Sequence, residues 1–65
     1  QDVKKLITAW KKITAAKPNY RDAYLQLAIL YYQIYKQEEA QRYLQKALAL
    51  DPNFKLAHQL EEIFH

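Results

Sequence analysis

Lys17-Pro18-Asn19-Tyr20-Arg21-Asp22-Ala23 is answered 34 residues later by Asp51-Pro52-Asn53-Phe54-Lys55-Leu56-Ala57. Pro, Asn, an aromatic, a base and Ala recur in the same order. A fixed period of this length marks a stack of helical hairpins, in which one unit cannot bury its apolar face alone and its neighbours complete the core. The functional question then becomes which partner such a surface takes, rather than which reaction it runs.

Between and beyond the two echoes, apolar residues fall at helical spacing. A helix over 20–34 carries Tyr24, Leu27, Ala28 and Tyr31 on one stripe and Leu25, Ile29 and Tyr32 on a second. Two stripes require more than one packing neighbour. Asn19 is its expected N-cap, with Asp22 favouring the dipole in the first turn. A helix over 38–50 carries Ala40, Tyr43, Leu44, Ala47, Leu48 and Leu50, and the small residues Ala40 and Ala47 share a face that permits close approach. Upstream, Val3, Leu6, Ile7, Trp10 and Ile13 predict a helix over 2–16, ended by Pro18, which pushes Lys17 out of the helical region. Downstream, Ala57, Leu60, Ile63 and Phe64 predict a helix over 54–64. No sustained period-2 alternation suggests a strand. The expected fold is all-α, with four helices in antiparallel helix-turn-helix hairpins and with Trp10, Leu27, Tyr31, Ala40, Leu44 and Ala47 buried.

Sixty-five residues make one small domain, which buries roughly 60% of its extended surface. The chain has no Cys, hence no disulfide or thiolate metal site, and no Gly, hence no Gly-rich phosphate loop. Hydrophobic residues are 51% of the chain, which is globular composition. No apolar run reaches the roughly 18 residues of a membrane span, and no membrane partner is expected. Opening at Gln1 and breaking off within the pattern at His65, the chain reads as a piece of a longer array. No compartment is assigned. There is no Ser or Cys nucleophile, and Glu38-Glu39 and Glu61-Glu62 fall on polar helix faces with no apolar pocket to shift them. No catalytic residue and no cofactor are expected.

Charge is uneven. Residues 1–21 carry a net +5 and residues 22–65 a net −2. Lys4, Lys5, Lys11 and Lys12 lie opposite the apolar stripe of the first helix. Such a row could release counterions from nucleic acid or an anionic surface. It lacks interleaved aromatics and Arg, so a solvated surface face ranks above nucleic acid.

Residues 21–54 resemble one complete tetratricopeptide repeat. Tyr24, Leu27-Ala28, Tyr31, Ala40, Leu44, Ala47 and Pro52 all stand at the spacing of that family's pattern. On this resemblance, 2–16 corresponds to the second helix of a preceding repeat and 55–65 to the first helix of a following one. Two departures stand out. Ile13 and Thr14 occupy positions where small and large apolar residues are usual. Tyr35 occupies the turn position where the family often has Gly, and a left-handed Tyr is unfavourable. A compact turn is expected there. The alternative is a continuous helix through Ile34 to Gln37, which would close the hairpin only against a second chain.

The resemblance implies a non-catalytic interaction module whose concave face comes from the first helix of each repeat. The expected partner-facing residues are Leu25, Gln26, Ile29, Tyr32, Gln33, Leu56, Gln59, Leu60 and Ile63. No Lys, Arg or Asn lies on this stripe, so the family's carboxylate clamp is not expected, and a protein or peptide with an apolar stripe fits better. Leu25, Ile29 and Leu60 are equally open to cover by further repeats or by a second copy of the chain. Self-association is expected because Leu6, Ile7, Leu60, Ile63 and Phe64 would meet water at the two ends and no polar capping helix is recognisable. His58, at the position of Tyr24, is expected to be a partly buried packing residue. Pairs such as His58 with Glu61 or Glu62, or Glu61 with His65, fall short of the three or four ligands of a metal site. Tyr20 and Tyr35 are the tyrosines expected to be accessible.

Overall fold

The computed structural model describes residues 2–64 and consists of helices α1 (Val3–Ala16), α2 (Arg21–Gln33), α3 (Gln37–Leu50) and α4 (Lys55–Ile63). There is no strand among the described residues. No helix among them is long and apolar enough to cross a membrane.

The sequence echo is also a backbone echo. At each proline junction a helix ends on an amide returning to the carbonyl four residues back, Lys17 to Ile13 at 2.8 Å and Asp51 to Ala47 at 3.0 Å. A turn follows in which the Tyr20 amide donates to the Lys17 carbonyl and the Phe54 amide to the Asp51 carbonyl, both at 3.1 Å. Tyr20 and Phe54 then cap the next helix with extended backbones. The cap of α2 is thus Tyr20 rather than Asn19, because the turn carries Asn19 outside the helix. Neither aromatic cap offers a side-chain acceptor. Only the Asp2 carboxylate, which accepts from the Lys4 amide at 3.0 Å, caps a helix in this way among the described residues.

α2 is central. Leu27 and Leu30 pack against Ile7 of α1, with Val3, Leu6 and Trp10 at the margin. Leu25 and Ala28 join Ala40, Leu44, Ala47 and Leu48 of α3 and Phe54, Ala57 and Phe64. Ala28, Ala40, Leu44 and Ala47 are wholly inaccessible, so α2 and α3 meet through small residues around one large one. Tyr43 of α3 stacks between two tyrosines of α2, 6.3 Å from Tyr24 and 5.5 Å from Tyr31 between ring centres. The N-terminus of α2 meets the end of α3 through Arg21 and Asp51, so these helices run antiparallel. Arg21 also lies over the Phe54 ring at the start of α4, while Tyr32 stacks on Phe64 beyond its end, so α2 and α4 run parallel.

Several expected exposures change. Trp10 and Tyr31 are only partly buried, since each lies at the edge of the α1–α2 cluster. Ile7 is buried beneath Leu27 and Leu30, and Phe64 beneath Tyr32, so neither meets water.

The α2–α3 turn is compact. Tyr35 has φ 64°, the left-handed region, and its side chain is 90% exposed. The Lys36 amide donates to Tyr31 and the Tyr35 amide to Tyr32, both at 3.0 Å. These two bonds make a Schellman motif, usually closed by Gly. Tyr35 accepts the backbone penalty and makes no compensating burial.

Candidate surface on helices 2 and 4

The expected partner-facing residues divide into two groups. Leu25 is 5% exposed and packed in the core cluster with Ala57 and Phe64, so it is not available to a partner. α4 returns alongside α2 and covers it. Ile29, Tyr32 and Leu60 are partly buried against the same cluster. The Tyr32 hydroxyl donates to the Ile63 carbonyl at 3.3 Å and joins the C-terminal ends of the two helices. The second group faces water. Gln26 and Gln33 are exposed on α2, and Gln59 on α4. Leu56 and Ile63 are 56% and 57% exposed, two turns apart on one face of α4. Open hollows of about 450 Å³ along Lys17–Tyr20 and about 290 Å³ among Pro18, Tyr24, Lys46, Ala49 and Leu50 contain none of these residues.

α4 differs from α2 in a way that only a position-by-position comparison brings out. The apolar contact of Ile7, Leu27 and Leu30 between α1 and α2 becomes, 34 residues on, Gln41, Glu61 and Phe64 between α3 and α4. Gln41 donates from Nε2 to the Phe64 carbonyl at 2.6 Å, and Gln45 from Nε2 to Glu61 at 3.0 Å. The side of α4 equivalent to the α3-facing side of α2 carries His58 and exposed Glu62 where α2 has Tyr24 and Ala28. α4 therefore has the polar outer face of a capping helix, a feature expected to be missing.

His58 is exposed rather than packed. Its Nε2 lies 2.7 Å from the Pro52 carbonyl and its Nδ1 3.1 Å from Glu61. Both neighbours hold the imidazole above its ordinary range, the Pro52 carbonyl first and Glu61 second. The suggested partner of Glu61 at His65 lies outside the described residues. On α1, Lys4, Lys5, Lys11 and Lys12 are all exposed.

No family model, curated protein or solved structure matches this chain.

Proposed function

We propose that the chain is a non-catalytic interaction module of tetratricopeptide type, which takes a protein or peptide partner on the α2–α4 side. The repeated junctions and the Pro52-punctuated pattern of residues 21–54 support the repeat reading. The single observation that carries the binding reading is the exposure of Leu56 and Ile63 on one face of α4 beside exposed glutamines. Burying two such side chains against a partner is favourable by roughly 1.5–3 kcal/mol each at full burial. Gln26, Gln33 and Gln59 then supply both donors and acceptors, which set the register of a bound segment.

Selection from a displayed library of random peptides tests the reading. Enriched peptides should carry apolar residues at helical spacing. Their binding should be lost in the Leu56→Asp, Ile63→Asp double variant and retained when Lys4, Lys5, Lys11 and Lys12 become Gln. Failure to enrich any peptide would sink the proposal, as would enrichment of peptides indifferent to the double variant. Peptides lost only in the Lys variant would favour an anionic partner on α1.

A further inference from the structure

The Tyr24 hydroxyl donates to the Pro18 carbonyl at 2.8 Å. His58 Nε2 meets the Pro52 carbonyl at 2.7 Å. Donor and acceptor in the second bond are each 34 residues beyond those in the first. Both bonds fasten a helix to the proline junction that leads into it. They differ in chemistry. A phenol keeps its proton up to about pH 10, so Tyr24 is a donor throughout the physiological range. An imidazole changes charge between about pH 5 and 8.

The second ring nitrogen makes the difference consequential. Nδ1 of His58 lies 3.1 Å from Glu61 Oε1, so both ring nitrogens face acceptors. A neutral imidazole has one N–H and satisfies one of them, whereas the imidazolium satisfies both. The charged groups that face the ring are Glu61 of α4 and Asp51 at the C-cap of α3, both acidic. Asp51 is also engaged by Arg21 and Glu61 by Gln45. Losing the proton turns His58 from a clamp between two acceptors into a ring with a lone pair aimed at one of them.

The rest of the α3–α4 contact is suited to respond. Gln41 and Glu61 stand where the α1–α2 contact has Ile7 and Leu27, so polar bonds replace apolar burial. α4 has nine residues, too few to be helical alone. We propose that His58 is a proton-operated latch: its protonated ring fastens α4 to the Pro52 junction, and deprotonation loosens α4 from the Leu25, Ile29 and Tyr32 stripe it packs against.

The direction follows from linkage. The ring is held above its unfolded value of about 6.5. Its contribution is fully present below that pH and is lost as pH rises through the higher folded value. The latch does not depend on a partner binding at Leu56 and Ile63.

Amide hydrogen exchange of the full chain, with His65→Gln so that His58 is the remaining imidazole, tests it at about pH 5.5 and about pH 8. Rates are expressed as protection relative to intrinsic exchange at each pH. Protection of α4 should fall severalfold more than that of α2 as pH rises. His58→Tyr, which copies Tyr24, should keep α4 protected at both pH values, and His58→Gln should leave it weakly protected at both. Parallel changes in α2 and α4, or a pH response that survives in His58→Gln, would overturn the proposal. A ring titration midpoint at or below that of an unfolded histidine would do the same without any variant.

Discussion

Arg21 Nη1 lies 2.6 Å from Asp51 Oδ2, across the end of the α2–α3 hairpin opposite its turn. The same guanidinium bonds Asp22 from Nε and Nη2 and covers the Phe54 ring at 3.8 Å. One planar group thus joins the start of α2, the end of α3 and the start of α4. A lysine cannot reproduce the fork and the stacking together. Arg21→Lys should lower the melting temperature followed by circular dichroism, and Arg21→Ala should lower it further. High salt should narrow the gap between Arg21→Lys and the parent only in part, because ring stacking has an unscreened dispersion component. Equal melting temperatures for Arg21→Lys and the parent would show that the fork contributes nothing.

Tyr35 sits in the left-handed region with its ring in water, so nothing in the fold rewards the choice of Tyr. Replacing it with Gly removes a penalty of about 1–2 kcal/mol and adds unfolded-state entropy of about 0.4–1 kcal/mol. Tyr35→Gly should therefore be more stable by about 0.5–1 kcal/mol in urea titration. A destabilised variant would mean that the Tyr35 side chain makes a contact the fold does not display.

The α2–α3 contact depends on alanines that have no accessible surface. Ala47→Leu should overpack this contact and lower stability by about 1–3 kcal/mol. A neutral result in denaturant titration would show that the helices can separate without loss.

The four exposed lysines of α1 make no printed ion pair or cap with their side chains, and exposed charges contribute little to stability. Changing Lys4, Lys5, Lys11 and Lys12 to Gln should leave the melting temperature nearly unchanged. A large fall would assign α1 an electrostatic role in folding, and salt-sensitive binding of the parent chain to RNA that disappears in the variant would assign it a nucleic-acid role.

Helix positions were legible because Pro18 and Pro52 interrupt two strong apolar periodicities, and each interruption acts within a few residues. Ala40, Leu44 and Ala47 were legible for the same local reason. The N-cap of α2 was not, since Asn19 has the right chemistry and the turn alone decides that Tyr20 takes the position. Leu25 was read as partner-facing because periodicity places it on a face without saying what returns to cover that face. His58 was misread as a packing residue because its match to Tyr24 was weighed by size. The matched pair of Pro18 with Tyr24 and Pro52 with His58 held the better signal, a donor aimed at a proline carbonyl. The polar α3–α4 contact was equally available from setting Ile7 beside Gln41 and Leu27 beside Glu61.

Trp10 is the chain's single tryptophan and sits with the α1–α2 cluster, while the stacked tyrosines Tyr24, Tyr43 and Tyr31 join α2 to α3. The two interfaces therefore carry different chromophores. Indole emission reports whether α1 is docked, and near-ultraviolet dichroism of the tyrosines reports whether the hairpin is closed. A red shift of the emission with the dichroism retained would be the optical signature of a chain that comes apart one helix at a time.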